Sequence, residues 1–317
     1  MTQLLSTRLH SATIGLCAAV FAIAQASAAD FEIMAPAAPG GGYDRTARAF
    51  EQALEKEKLG AANVINVGGA GGAIGLAQFI RNRSGSDNAL IVGGFGMVAS
   101  FATNKSKVTL ADVTPIARLT SEYSVVVVPK DSPIKSVADL VAKLKQSPSG
   151  VAWAGGSAGG TDHILAGSIA RAVGVDPNVA FSGGGDSLAA IIGGQVTAGI
   201  GGYSELADQI KAGTVRALAI SADARVPDVD IPTLKLQGVD ASLSNWRGIA
   251  APPGLSPAQR QAYLDLADKV VKSQTWKEQL KANGWNDEYL AGDAFKAHID
   301  EETKRITDIL TQLGLVK

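Results

Sequence analysis

Residues 31–54 read FEIMAPAAPGGGYDRTARAFEQAL. Phe31 to Ala35 has the apolar character of a short strand. Pro36 to Gly42 is a loop, because Pro and Gly both interrupt regular structure. From Asp44 to Lys58 the apolar residues return at helical spacing, with Ala47, Phe50 and Leu54 on one face. Strand, Gly-rich loop and helix in that order form the opening of a βαβ unit.

The rest of the chain repeats this unit. Val64 to Val67 reads as a strand, runs into Gly68-Gly-Ala-Gly-Gly72, and leads to a helix from Ala73 to Arg81. Ala89 to Val92 is a third strand. Val125 to Val128, a β-branched run closed by Pro129, suits a buried strand. Ser136 N-caps a helix ending at Gln146. Val151 to Ala154, the loop Gly155 to Gly160 and a helix from Thr161 to Val173 follow. Val179 to Ser182 ends in Gly183-Gly-Gly185. Strands at Val196–Ile200 and Val215–Ile220 flank a helix from Ser204 to Lys211. Asn245 to Ala251 is a last strand, and helices run from Ser256 to Ser273 and from Asp293 to Leu313. Such alternation predicts an α/β fold with mostly parallel sheets.

Composition narrows the function. Of 317 residues 36 are Gly, while aromatics make up 5%. An apolar fraction of 46% excludes disorder, and the length suggests two domains. A formal net charge of −1 speaks against nucleic-acid binding through a broad basic field. One Cys and three His exclude the usual zinc sites, and no other metal or cofactor is expected. Met1 to Ala28 has the parts of a secretory signal: Arg8 and His10 without acids, an apolar run from Ala12 to Ala24, and the small-x-small pattern Ala26-Ser27-Ala28. Cleavage after Ala28 is expected. It removes Cys17, so the exported chain, placed in a bacterial periplasm, contains no cysteine.

Four strands end in Gly-rich loops: Pro39 to Tyr43, Gly68 to Gly72, Gly155 to Gly160 and Gly183 to Gly185. Helix N-termini beyond strand ends carry free N–H groups and partial positive charge, which suits an anionic ligand held by main chain. Each loop taken singly also reads as an ordinary tight turn. The dinucleotide spacing G-x-G-x-x-G and a Gly-Lys dipeptide are absent, which argues against nucleotide loops. Gly155-Gly-Ser157-Ala-Gly159 fits the nucleophile elbow of an α/β serine hydrolase or esterase. The His residues downstream of it are His163, in the same helix, and His298, in a charged terminal helix. Asp44 caps the first helix or accepts from a ligand hydroxyl; Tyr43 donates its OH or packs. Ser157 and Thr161 offer hydroxyls beside free N–H groups. His163 donates to a carboxylate or packs; Arg45 and Arg48 lie in the first turn or so of the first helix, where Arg48 pairs with a carboxylate or at the surface.

Three blocks carry a wider resemblance: Ala35-Pro-Ala-Ala-Pro-Gly-Gly-Gly-Tyr-Asp-Arg-Thr-Ala-Arg48, Asn66-Val-Gly-Gly-Ala-Gly-Gly-Ala-Ile-Gly75, and Gly155 to His163. Phe181 to Ser204 and Trp246-Arg-Gly-Ile-Ala-Ala-Pro252 continue it. Together they resemble the substrate-binding receptors of tripartite tricarboxylate transporters, over nearly all of the chain after residue 28. The first loop is closest to the citrate-type branch. The resemblance implies a two-lobed periplasmic binding protein fold, type II-like, without catalysis. The lobes are expected at residues 29–126 with 246–317, and 127–245. The ligand, a citrate-like carboxylate, is expected between them. The candidate ligand-binding residues are Pro39, Gly41, Gly42, Tyr43, Asp44, Gly72, Gly94, Ser157, Gly159, Gly160, Thr161, His163 and Ser204. The implied partners are inner-membrane permease subunits, with a sensor kinase periplasmic domain as a further one.

Overall fold

The computed structural model describes residues 31–156, 158–183 and 187–316. The expected secretory signal, Ser157 and residues 184–186 of the expected fourth Gly-rich loop lie outside these residues. The elements are β1 (Phe31–Ala35), α1 (Gly42–Lys56), β2 (Ala62–Asn66), α2 (Ala73–Arg83), β3 (Ala89–Gly94), α3 (Phe95–Thr103) and β4 (Thr114–Pro129). Next come α4 (Val137–Gln146), β5 (Trp153–Gly155), α5 (Thr161–Ala172), β6 (Phe181–Gly183), α6 (Ser187–Ile192), β7 (Ala198–Gly202), α7 (Tyr203–Lys211) and β8 (Val215–Ile220). The chain ends with β9 (Ser244–Ala251), α8 (Pro257–Lys272), α9 (Gln274–Asn283), β10 (Asn286–Ala291) and α10 (Gly292–Gln312).

The strands run in the order β2-β1-β3-β9-β4-β7-β5-β6, with β8 and β10 also pairing β4. Parallel pairing holds at the flanks, β2-β1-β3 and β7-β5-β6. At the centre β9 is antiparallel to β3 and β4, and β4 is antiparallel to all its neighbours. The sheet is therefore mixed, because the chain crosses between two parallel halves on long antiparallel strands.

The strand β4 is 16 residues long, and the sequence revealed only its end. Thr114 to Ser124 contains Pro115, Arg118, Thr120, Ser121 and Glu122, a poor strand signal. Its polar groups are nevertheless matched. Thr120 Oγ1 donates to the Asn286 carbonyl at 2.8 Å and Arg118 Nε to the Glu288 carbonyl at 2.8 Å. Both partners are on β10, which the sequence also concealed. The second half, Val125 to Val128, has side chains alternating between two apolar clusters, as expected where a strand is covered on both faces.

In the first half-sheet, Ile33, Leu90 and Val92 face α1, α8 and α9 through Phe50, Tyr263 and Trp276. Met34, Ile91 and Trp246 face α2, α3 and α10 through Phe79, Phe95 and Phe295. In the second half-sheet, Val126 and Val128 join Ile164 and Ile169 of α5. The C-terminal end of α10 reaches this half: Leu313 packs on α5 at Gly167, and Arg171 donates to Gln312.

Buried Ser221 stitches the crossing. Its Oγ accepts from Ser124 N–H at 3.0 Å and donates to the Leu243 carbonyl at 2.6 Å, and its backbone pairs with the same two residues. Ser221→Ala leaves a buried donor and acceptor unmatched, so it is expected to cost about 1–3 kcal/mol, measured by urea denaturation.

Candidate functional site

A cavity of about 640 Å³ opens where the two half-sheets meet. Five helices begin on it: α1, α2, α3, α5 and α7. Each has Gly at its N-cap (Gly41, Gly72, Gly94, Gly160 and Gly202), and no side chain caps it. Elsewhere α4, α8 and α9 are each capped by a Ser hydroxyl, at Ser136, Ser256 and Ser273. The cavity thus collects helix N-termini whose N-cap residues offer no side chain, although within the first turns Met97 N–H of α3 and Ser204 N–H of α7 have side-chain acceptors, Tyr43 OH and Glu122.

Among the sequence-derived candidates, Pro39, Tyr43, Gly72, Gly160 and Thr161 line the cavity. Tyr43 OH accepts from Met97 N–H at 2.8 Å. Burial pushes its pKa up to about 12, so the phenol keeps a proton to donate. Gly94, behind it, faces Tyr43 and the β9 backbone.

Asp44 belongs to the scaffold of its loop. Its Oδ2 accepts from Gly40 N–H at 2.8 Å and from Arg48 Nε at 3.1 Å, and Oδ1 accepts from Asn66 Nδ2 at 2.9 Å. Burial alone would raise its pKa, but these three partners outweigh that and hold it below the usual value. His163 Nδ1 accepts from Gly159 N–H at 3.0 Å, and its ring stacks on Phe181 at 4.6 Å. Ser204 donates from both N and Oγ to Glu122 Oε1.

The floor of the cavity comes from residues outside the sequence-derived set. Glu122 on β4 and Arg247 on β9 pair at 2.9 Å, with side chains only 2% and 5% exposed. Two glycines make room for them. A Cβ on Gly42 would lie 2.8 Å from the Arg247 guanidinium, and one on Gly202 would lie 2.5 Å from Glu122 Oε1. The walls add Asn66, Ser124, Asp162 and Glu205. The available signals were a lone acid just before a Val run, and an Arg inside an apolar strand. Arg45 of α1 reaches Glu205 of α7 across the opening at 3.5 Å.

Asp162 Oδ2 accepts from Gly156 N–H at 2.8 Å and Oδ1 from Ser124 Oγ at 3.3 Å. Loss of hydration, with Glu205 and Glu122 adding, pushes its pKa up to about 7.

These arrangements give two predictions. Removing one partner of a buried ion pair strands the other, so Glu122→Ala is expected to lose about 3–5 kcal/mol in urea denaturation. Combining Glu122→Leu with Arg247→Met recovers part of that. For Asp162, the native state holds a proton between the ordinary value of 3.8 and about 7. The protein therefore loses stability as pH rises through that interval. Asp162→Asn is expected to raise the Tm of the ligand-free protein more at pH 8 than at pH 5.

The hydrolase alternative does not fit His163. A ring whose Nδ1 accepts from a backbone N–H carries its own proton on Nε2, where a triad base must accept one. His298 sits against Arg118, Trp246 and Phe295, away from the cavity lining.

Known proteins agree with a receptor. Residues 46–315 match the family described as "Tripartite tricarboxylate transporter family receptor". The chain is 26% identical over 326 aligned residues to "Protein BugT" of Bordetella pertussis (strain Tohama I), covering 99% of this chain and 98% of that protein. Two solved structures share the fold. MatC from Rhodopseudomonas palustris, with bound malate, is 23% identical with a TM-score of 0.72, covering 89% of this chain and 98% of that one. An R. palustris protein with adipate is 22% identical with a TM-score of 0.78, covering 90% and 97%. The chain thus belongs to the tripartite tricarboxylate transporter receptor family, as a two-lobed solute-binding receptor and not an enzyme.

Proposed function

We propose that this receptor binds a small carboxylate in the cavity between its lobes and delivers it to the permease of its transporter. The convergence of five helix N-termini with glycine at the N-cap on one cavity supports the reading most directly. Free N–H groups with aligned helix dipoles favour an anion. The carboxylate would meet Tyr43 OH and the Pro36 to Tyr43 and Gly68 to Gly72 loops on one side, and Gly160 and Thr161 on the other. Gly41, Gly42, Gly94, Gly159, His163 and Ser204 would act behind this surface, by shaping loops and floor.

The first lobe would comprise residues 29–126 and 246–317, and the second residues 127–245. The partition follows the two groups of strands that meet at β4. Contacts made by both lobes would favour the closed state. Among the described residues no helix is long and apolar enough to cross a membrane. Export to the periplasm by the signal in residues 1–28 accounts for the meeting with an inner-membrane permease.

The test is a thermal-shift and calorimetric screen of citrate, malate, adipate and succinate, with citrate-like tricarboxylates included because the first loop resembles that branch. A ligand at about a hundred times its Kd stabilises by ~2.7 kcal/mol, which appears as a rise in Tm of several degrees. The corresponding amides, which lack the negative charge, are expected to give no shift. No shift from any carboxylate would overturn the proposal.

A further inference from the structure

Behind the strands that form the cavity floor lies a second cavity, of about 860 Å³. Successive side chains of a strand point to opposite faces, and the two cavities divide β4 and β9 in that way. Glu122, Ser124, Asn245 and Arg247 face the first, while Tyr123, Ser244 and Trp246 face the second. The rear cavity also lies between the halves of the molecule. Glu288, Glu302 and Arg305 wall it from the first lobe, and Asp223 and Ser242 from the second, with the lobes divided as above. A rotation about strands that lie between two cavities widens one as it narrows the other.

In this structure the front is drawn together and the rear stands open. At the front, Arg45 Nη2 of one lobe lies 3.5 Å from Glu205 Oε1 of the other. A Cβ on Gly159 would lie 3.2 Å from Thr103 Cγ2, again between lobes. At the rear, each charge is paired within its own lobe. Asp223 accepts from Lys235 Nζ at 2.5 Å, and Arg305 donates to Glu302 from Nε at 2.6 Å and from Nη2 at 2.9 Å. Hydrogen bonds from Lys235 and Ser242 hold the Asp223 carboxyl below its usual range, and the charge of Arg305 adds to them from the other lobe. Both side chains reach solvent, at 75% and 41% exposure. They can therefore approach each other without losing their present partners.

We infer that Asp223 and Arg305 are positioning residues that favour the open receptor, as Arg45 and Glu205 favour the closed one, so that a pair behind the hinge strands sets how tightly the ligand is held in front of them. This rests on the two-lobed partition and on binding in the cleft. Narrowing the rear cavity brings Asp223 and Arg305 together while it parts Arg45 from Glu205. The apparent Kd is the intrinsic value divided by the fraction of receptor that is competent to bind. Loss of charge at the rear then strengthens binding, and loss of charge at the front weakens it. Exposed ion pairs shift an equilibrium by up to about fivefold.

The test follows lobe separation in the ligand-free protein. The chain after residue 28 contains no cysteine, so spin labels can be placed at Lys56→Cys and Lys211→Cys, both exposed and one on each lobe, and their separation read by double electron–electron resonance. Asp223→Asn and Arg305→Gln remove charge while keeping polar groups for Lys235 and Glu302, and circular dichroism verifies folding. Each is expected to move the distance distribution toward the shorter, closed separation, and Glu205→Gln toward the longer one. The double variant Asp223→Asn with Arg305→Gln should go no further than either single variant, which separates a shared pair from two unrelated structural effects. Calorimetry with citrate, malate, adipate and succinate should show the rear variants binding about two- to fivefold more tightly than the wild type and Glu205→Gln more weakly. The inference is overturned if either rear variant leaves the separation unchanged or lengthens it, or if the effects of the two add in the double variant; the carboxylate reading then stands. Failure of all four acids to bind would remove that reading and leave the resonance result to decide this one.

Discussion

The buried pair between Glu122 and Arg247 is the constraint around which the molecule is arranged. It lies where β4 and β9 pass from one half-sheet toward the other. Taking two charges out of water is unfavourable unless each finds further partners. Glu122 finds them at the start of α7, through Ser204 N and Oγ. Arg247 lies below the start of α1, under Gly42, with its Cζ 5.6 Å from the Trp285 ring. One ion pair thus fixes two helix ends, the strand crossing and the cavity floor. Substitutions there couple folding to the shape of the cavity, because the same pair holds the strands and forms the floor.

The distribution of helix caps shows how stability and function are divided. Hydroxyl caps of the kind found at Ser136, Ser256 and Ser273 contribute on the order of 1 kcal/mol each. The five helices that open on the cavity do without them. A side-chain cap at those positions would occupy N–H groups that the proposed anion would use. At this cavity the chain forgoes local stabilisation that α4, α8 and α9 retain, a trade common at functional sites. The anchoring of the first loop by Asp44, Asn66 and Arg48 then becomes important, because an uncapped Gly-rich loop would otherwise lose its shape. Preorganised donors hold a ligand better than mobile ones.

Much of this was legible in the chain. The loops from Pro36 to Tyr43, Gly68 to Gly72 and Gly155 to Gly160 could be placed at strand ends, because apolar runs and glycines alternate so regularly there. The family followed from the order of those loops. The first half of β4 was not legible. Thr120, Ser121 and Glu122 are buried by partners far along the chain, and no local pattern encodes a partner at Asn286 or Arg247. β10 was hidden for the same reason, and α9 because it follows α8 after a single capping serine. His163 and Asp44 looked like ligand residues because they sit in the correct loops. Their roles as ring packing and loop bracing depend on Phe181 and Asn66, in other elements. Asp162, adjacent to His163, was not among the candidates, and its place on the cavity wall depends on Ser124, in another element.

The seating of Leu313 on α5 at Gly167 has a mechanical meaning. Covalently, the chain passes between the two half-sheets on β4 and returns before β9, and these two neighbouring strands define a line about which the halves can turn like a door. The end of α10 adds a third attachment away from that line, made of side chains instead of peptide bonds. A body joined along one line can swing freely, whereas one also held off that line can swing only as far as the extra attachment bends or slips. The C-terminal helix is thus placed as a stay on the door, and any swing of the two halves would have to bend or slip the packing of Leu313 on α5.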